Sequence, residues 1–170
     1  MDIRLISADK RRYMPLLLLG DESEPMIGHY LDRGDLWVGF DGEVPVAVCV
    51  ATDEGHGVTE VKNLAVSPDF RRRGIGRRML AHVEGLNAGR TVILGTGETP
   101  STLRFYKSCG YRYSHRVPDF FTDNYPGPII EEGVVLKDMV YLSKHCAVSI
   151  HNSNGENSNN HNPTLYDTVR

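Results

Sequence analysis

The residues best suited to chemistry lie in one short run between an apolar strand and an amphipathic helix. The run comprises Arg71, Arg72, Arg73, Gly74, Ile75, Gly76 and Arg77, and Arg78 adds a fifth cation. Glycine removes side chains where the backbone must turn and lets a ligand approach closely. The first N–H groups of a helix have no internal acceptor, and the helix dipole adds partial positive charge there. This combination is typical of a site for a phosphate-bearing anion. The alternative is a solvated basic helix start.

The bulk composition narrows the classes of partner. The 170-residue chain is 40% hydrophobic and 24% charged, with a formal net charge of −3. These values are ordinary for a soluble globular chain, and the acidic balance predicts neither nucleic acid nor a membrane as partner. No N-terminal segment resembles a secretory signal. Because Cys49, Cys109 and Cys146 form no CxxC pair, we expect reduced thiols and a cytoplasmic protein.

Hydrophobic periodicity predicts alternating strands and helices around the glycine–arginine run. The expected strands are Asp2–Ile6, Leu36–Phe40, Val44–Thr52, Val58–Val66, Thr91–Thr96, Tyr111–Val117 and Val134–Leu142. Helices are expected from Ser7 towards Leu19, from Ser23 to Gly34, from the glycine–arginine run to about Ala88, and from Pro100 through Cys109. The apolar face of the third helix comprises Ile75, Met79, Leu80, Val83 and Leu86.

The order of these elements predicts an α/β (α+β) fold with a mixed sheet. The strand–helix–strand unit over residues 58–96 implies a parallel pair with a right-handed crossover. The hairpins around it imply antiparallel pairs, the clearest being the one that turns at Asp41-Gly-Glu43.

The composition changes after Lys144, where asparagine becomes dominant. A segment with few large apolar residues cannot offset its ordering entropy. We therefore expect one domain over residues 1–144 and a flexible tail over residues 145–170. His145, His151 and His161 show no tight metal-ligand spacing, so no metal site is expected.

Two motifs resemble the GNAT superfamily of N-acetyltransferases. The first is Arg71-x-x-Gly74-x-Gly76 after Leu64-Ala-Val66, and the second is Phe105-Tyr106 followed by Cys109-Gly-Tyr111. The resemblance covers about 144 residues, and the longer run after Phe105 is similar to a small bacterial branch with no settled substrate. It implies a central sheet of six to seven strands, helices on both faces, and a parallel strand pair splayed apart for acetyl-CoA.

The resemblance implies which residues bind acetyl-CoA. The glycine–arginine run would hold the pyrophosphate, and the backbone of Leu64, Ala65 and Val66 would pair with the pantetheine arm. An N–H placed at Leu64 would hold the thioester oxygen as negative charge develops. The family pattern usually has Asn where this chain has Thr99, so a hydroxyl at Thr99 or Ser101 would replace one coenzyme contact.

Two residues are candidates for proton transfer. Tyr106 matches the family tyrosine near the coenzyme sulfur, where its phenol could protonate or hydrogen-bond the leaving thiolate. Glu60 lies four residues before Leu64, where the family often carries a carboxylate, and is a candidate base for the amine. Strand periodicity puts Glu60, Lys62 and Leu64 on one face, so Glu60 could equally serve as a structural partner of Lys62.

The loop Asp119–Gly133 combines aromatic and acidic residues. These would suit a cationic amine through cation–π and ionic contacts, or could simply cover the end of the sheet. Both interpretations stay open.

The sequence as a whole predicts an enzyme that transfers an acetyl group from acetyl-CoA to a primary amine by direct attack. The acceptor is a small molecule or a protein amine, and the enzyme can be a homodimer, as similar proteins often are. The rivals are a non-catalytic acyl-CoA sensor, which would not need Tyr106 or Glu60, and a nucleic-acid-binding module, which the acidic balance disfavours.

Overall fold

The computed structural model describes residues 1–148, in which helices lie on both faces of a large sheet. The strands are β1 (Asp2–Ile6), β2 (Asp35–Asp41), β3 (Val44–Gly55), β4 (Val58–Val66), β5 (Thr91–Gly97), β6 (Arg112–Val117), β7 (Ile130–Glu131), β8 (Val134–Val135) and β9 (Met139–His145). The helices are α1 (Met14–Leu17), α2 (Glu24–Leu31), α3 (Ile75–Leu86), α4 (Pro100–Ser108) and α5 (Phe120–Asn124). Short 3₁₀ turns cover Lys10–Tyr13 and Pro68–Phe70.

Seven strands form the main sheet, in the order β1-β2-β3-β4-β5-β9-β6. The β4–β5 pair is parallel, and every other neighbouring pair in this sheet is antiparallel. The remaining two strands, β7 and β8, form a separate small hairpin. The predicted α/β fold with a mixed seven-stranded sheet is therefore confirmed.

Two apolar clusters hold the helices on opposite faces of the sheet. On one face, Met79 and Leu80 of α3 are buried beside Leu94 of β5 and Leu142 of β9. The second cluster joins α1 and α2 to the other face. Leu86, the last residue predicted for the apolar face of α3, is 57% exposed and lies outside the core.

The helix boundaries agree with the sequence at some ends and differ at others. The hydroxyl of Ser23 accepts a hydrogen bond from the backbone N–H of Met26 at 3.3 Å, so Ser23 caps α2 as predicted. The first helical segment begins after Asp9 rather than at Ser7. Helix α2 ends at Leu31 rather than at Gly34.

The C-terminal strand prediction was wrong at its start. Val134 and Val135 form β8, which pairs back onto β7, and β9 begins only at Met139. The apolar run therefore contains two strands with a break between them. At the far end, His145 is the last residue of β9, and the backbone N–H of Cys146 donates to the carbonyl of Arg90 at 2.9 Å.

The predicted tail lies mostly outside the described residues. Residues 145–148 continue directly from β9, and Cys146 is buried against the domain. Among the helices described up to residue 148, none is long and apolar enough to cross a membrane.

Candidate functional site

The parallel strands β4 and β5 separate partway along their length. Their pairing runs only from Val58↔Thr91 to Val61↔Leu94. Beyond that point, β5 pairs with β9 alone, through Gly95, Thr96 and Gly97. The backbone of Leu64–Val66 therefore has no partner on the β5 side, and this strand edge can pair with a ligand. The splayed pair implied by the family resemblance is present.

A β-bulge in β4 changes which side chains share a face. Val50 pairs with Asn63 and Ala51 pairs with Val61, so Lys62 is an extra residue in β4. Strict alternation had put Glu60, Lys62 and Leu64 on one face, and this prediction was wrong for Leu64, whereas Glu60 and Lys62 are in contact. Val61 and Leu64 contact the α3 side, whereas Asn63 faces the α1–α2 side. Simple periodicity cannot detect one inserted residue, because each half of the strand keeps its alternation.

Glycines build the turn before α3 for two different reasons. Gly74 takes a left-handed conformation with φ of 75°, which a residue with a side chain adopts at a cost. Gly76 instead makes room for a neighbouring helix, because a Cβ there would lie 3.2 Å from Cζ of Phe105. No side chain caps the start of α3, so its first N–H groups are available to an anion.

The predicted cluster of five arginines is divided between two tasks. Arg77 donates to the carbonyl and hydroxyl of Ser108 at 2.9 and 2.8 Å, which ties α3 to the end of α4. Arg78 donates to the carbonyl of Met1 at 3.3 Å. These two side chains therefore brace the fold.

The remaining arginines lie nearer the open strand edge. Nε of Arg71 donates to the Val66 carbonyl at 3.1 Å, so this guanidinium covers the end of β4. Arg72 has a positive φ of 63° and lines the cleft, while Arg73 stacks over the ring of Phe70.

These elements enclose a cleft of about 570 Å³, which we call the large cleft. It is lined by the predicted catalytic residue Tyr106 and by most of the residues predicted to bind the coenzyme: Leu64, Ala65, Val66, Arg71, Arg72, Gly74, Ile75, Gly76, Arg77 and Ser101. Arg73, Thr99 and Glu60 are not among its walls.

The two hydroxyls proposed to replace the family asparagine have different surroundings. Thr99 is fully buried before α4, and its Oγ1 has no hydrogen-bond partner within residues 1–148. Ser101 lies on the wall of the large cleft, where its hydroxyl and backbone N–H contact the carboxylate of Glu132. Only Ser101 is positioned to reach a ligand in the cleft.

Tyr106 stands between the large cleft and a second cavity. It lines both, as does Leu64. Its ring contacts those of Phe105 and Tyr111, with centroids 5.1 and 6.1 Å away. Burial, with a smaller contribution from nearby acidic groups, raises the pKa of the Tyr106 phenol above its ordinary value. The phenol therefore keeps its proton at neutral pH and can donate it.

The second cavity, which we call the acidic cavity, has a volume of about 120 Å³. Its walls combine two carboxylates with aromatic and small residues: Gly20, Asp21, Asn63, Gly95, Phe121, Tyr125 and Glu131. The pKa of Glu131 is raised by partial burial and by repulsion from Glu22 and Glu132. The Tyr125 hydroxyl donates to Oδ1 of Asp21 at 2.9 Å, across 104 residues of sequence.

Glu60 lies in a neighbouring cavity of about 230 Å³ that shares Asp21 and Lys62 with the acidic cavity. Nζ of Lys62 is 2.6 Å from one carboxylate oxygen of Glu60. The hydroxyl of Tyr141 donates to the other oxygen at 3.2 Å. Glu60 is only 8% exposed, so it is a largely buried, ion-paired carboxylate near the cavity that could hold an acceptor.

The loop over residues 119–133 covers part of the sheet and also lines the acidic cavity, so its proposed role in amine binding stays a prediction. Phe121, Tyr125 and Glu131 line the acidic cavity, while Ile129 packs with Phe121 into a small third cluster that covers the sheet. Asp21 and Asn63, which also line this cavity, were not singled out as candidate site residues from the sequence. Asp21 lies beside the α2 cap, where its carboxylate accepts a hydrogen bond from the Ser23 N–H at 3.1 Å. Its place in the sequence therefore indicates the start of a helix rather than a ligand site.

The described residues thus offer an uncapped helix start, a cationic turn and an open strand edge along one cleft. These features fit a long thioester coenzyme that carries a pyrophosphate. Within residues 1–148, no group of three His, Cys, Asp or Glu side chains is placed to hold a metal ion.

Comparisons with known proteins agree with this site. A family model described as an acetyltransferase (GNAT) domain matches residues 32–113. The chain is 31% identical over 132 residues to the uncharacterized N-acetyltransferase YvbK of Bacillus subtilis, covering 75% of this chain and 84% of that protein. It is thus similar to a protein that is named as an N-acetyltransferase.

Solved structures show the same relationship. A GNAT family acetyltransferase from Elizabethkingia anophelis with acetyl-CoA bound is 31% identical, with a TM-score of 0.79 over 85% of this chain and 97% of that one. An IAA acetyltransferase from Bacillus cereus is 33% identical, with a TM-score of 0.78 over 84% and 97% of the two chains. The chain therefore belongs to the GNAT superfamily and is an acetyl-CoA-dependent N-acetyltransferase.

Proposed function

We propose that this enzyme transfers the acetyl group directly to a primary amine, without a covalent enzyme intermediate. The observation that carries the proposal is the position of Leu64 and Tyr106, which line both the large cleft and the acidic cavity. A thioester in the cleft and an amine in the cavity would meet between these two residues. Such placement makes the reaction effectively unimolecular.

The large cleft would hold acetyl-CoA through main-chain groups and arginines. The first N–H groups of α3 and the Arg72 side chain would bind the pyrophosphate. The pantetheine amides would pair with Leu64 and Val66 along the open edge of β4. Arg71 donates to the Val66 carbonyl in this structure. Pairing of the pantetheine with that carbonyl would require the guanidinium to turn away, and the coenzyme phosphates would then accept its hydrogen bonds.

The chemical step joins the amine nitrogen to the thioester carbonyl carbon and then breaks the carbon–sulfur bond. The backbone N–H of Leu64 would stabilise the negative oxygen of the tetrahedral intermediate. The Tyr106 phenol would give its proton to the departing sulfur, and the proton that the attacking nitrogen loses as the amide forms would return to the phenol through water. The phenol is protonated at neutral pH, as an ordinary tyrosine is, and its place between the cleft and the cavity supports this role.

The amine must lose a proton, because most alkyl amines are charged at neutral pH. Glu60 would accept that proton through water in the cavity next to the acidic cavity. Nζ of Lys62 holds this carboxylate in place at 2.6 Å, beside the water-accessible cavity. The same contact supports the alternative, in which Glu60 serves only to fix Lys62 and β4.

Direct transfer can be tested with an amine library that contains small molecules and a lysine-rich peptide. Release of free thiol would be followed together with the mass of each acceptor. Stoichiometric acetylation of an amine is the expected result. If acetyl-CoA binds but no amine gains an acetyl group, the proposed direct transfer to a primary amine is wrong.

A further inference from the structure

One buried polar atom of a residue that lines the acidic cavity has no hydrogen-bond partner among residues 1–148. The Asn63 residue is 3% exposed, and its Nδ2 donates to the Leu17 carbonyl at 2.9 Å and to the Tyr30 hydroxyl at 3.0 Å. A backbone carbonyl can only accept, so Nδ2 must face Leu17 and Oδ1 must face away from it. Within residues 1–148, Oδ1 of Asn63 accepts no hydrogen bond. A buried acceptor in this state requires a donor.

A glycine packs directly against this oxygen. A Cβ at Gly20 would lie 2.6 Å from Oδ1 of Asn63, which is closer than any side chain can approach. Gly20 and Asn63 both line the acidic cavity. The unpartnered oxygen therefore lies at a cavity wall beside Gly20, a residue with no side chain to move when a ligand donor approaches.

The carboxylates of the same cavity have no cationic partner. The described ion pairs include neither Asp21 nor Glu131. Asp21 accepts only from neutral donors, the Tyr125 hydroxyl at 2.9 Å among them. Lys62 also lines this cavity, but its ammonium group is already paired with Glu60 at 2.6 Å. The cavity thus carries negative charge that a cationic ligand would neutralise.

We propose that the acceptor is an aliphatic amine with a second ammonium group, which donates to Asn63 Oδ1 and to the Asp21 carboxylate. The reacting amine then lies near Leu64 and Tyr106. This inference rests on the proposed transfer to an amine. The ring of Tyr125 forms a wall of the cavity, where it offers cation–π contact, and the volume of about 120 Å³ suits a short chain.

Four acceptors of equal chain length separate the second charge from size and polarity. They are diaminobutane, aminobutanol, butylamine and aminobutyrate, each assayed by thiol release at saturating acetyl-CoA. The expected kcat/KM for diaminobutane exceeds that for aminobutanol and butylamine at least tenfold, and aminobutyrate is the poorest. Calorimetry on the protein loaded with coenzyme A should show diaminobutane binding at least tenfold more tightly than aminobutanol.

A matched pair of variants tests the carboxylate. Asp21→Asn keeps an oxygen for Tyr125 and Ser23 while it removes the charge, so the tenfold preference for the diamine should disappear. Glu24→Gln removes one charge from the same region outside the cavity walls, and it should keep the preference. Thermal melting of both variants would show that each is folded.

The outcomes separate this inference from the proposed function. Acetylation of all four amines with similar kcat/KM, or a diamine preference that survives Asp21→Asn, would overturn the second-charge proposal alone. Failure of every amine to release thiol, although coenzyme binds, would overturn direct transfer and this inference with it.

Discussion

The large cleft and the acidic cavity meet at Tyr106 but are built in opposite ways. The cleft is cationic and uses backbone N–H groups and arginines from a single stretch of chain, Leu64–Arg77. The acidic cavity is anionic and draws its walls from residues as distant as Asp21 and Tyr125. In the proposed function, the first region would bind the coenzyme common to the superfamily, and the second would hold the acceptor. The proposed coenzyme site is therefore encoded locally, whereas the proposed acceptor site depends on the assembled fold.

The largest expected effect comes from placing a negative charge in the cleft. In Gly74→Asp, a carboxylate would stand beside the coenzyme pyrophosphate, at a residue with φ of 75°. Repulsion of a few kcal/mol corresponds to a loss of coenzyme affinity of roughly 100-fold or more. Calorimetric titration with coenzyme A measures it.

The matched control is Gly74→Asn, which has similar size and tolerates the left-handed conformation but carries no charge. It should retain most of the affinity. Equal binding by the Asp variant and the native protein would remove the pyrophosphate from this turn.

The junction between the two regions is tested by Tyr106→Phe. Loss of the phenol proton should lower kcat by about 100-fold, the usual range for a general acid. Coenzyme affinity should stay nearly constant, because the ring still fills its place beside Phe105 and Tyr111. Single-turnover thiol release, compared with calorimetry, separates the two effects. An unchanged single-turnover rate would show that another group protonates the sulfur.

Glu60→Gln distinguishes a base from a structural carboxylate. A lost base should lower kcat/KM for the amine by about tenfold or more at neutral pH. The deficit should shrink as the pH approaches the amine pKa, where the substrate is already neutral. The pH profile of thiol release in both proteins measures this dependence.

If Glu60 only fixes Lys62, the result will differ in kind. The variant would then melt at a lower temperature, because Lys62 and Tyr141 lose a charged partner, and its rate deficit would be the same at every pH.

The smallest expected effect is a pH dependence of the acceptor KM that arises from Glu131 in the acidic cavity. The pKa of Glu131 is raised, so its charge is lost at a higher pH than that of an ordinary glutamate as the solution is acidified. The acceptor KM should therefore rise a few-fold as the pH falls from 8 to about 5. Glu131→Gln should have a raised KM throughout and lose this part of the pH dependence. An identical pH profile in the two proteins would separate Glu131 from acceptor binding.

The sequence predicted the cleft far better than the cavity for a physical reason. Gly74, Gly76 and the open edge at Leu64 are close in the chain, and their geometry follows from one strand, one turn and one helix. Two residues predicted to bind the coenzyme do not line the cleft. Thr99 is buried before α4, and Arg73 stacks on Phe70.

The features missed in the sequence depend on long-range pairing. The bulge at Lys62 exists only in the register of β4 against β3, so alternation placed Leu64 on the wrong face. The separate strand at Val134 depends on its pairing with Ile130–Glu131. Asp21 enters the site through contacts that no local pattern contains.

The central claim is that two oppositely charged regions, meeting at Tyr106, bind the coenzyme and the amine separately. Its most direct test is an amide-resolved NMR titration of the labelled protein, first with coenzyme A and then with diaminobutane. The account predicts that coenzyme A shifts the amide signals of Gly74, Ile75 and Gly76, and that the diamine then shifts the signals of Gly20 and Asn63. Coenzyme A that leaves the α3 amides unmoved at saturation, or a diamine that perturbs the α3 turn instead of the cavity, would contradict it.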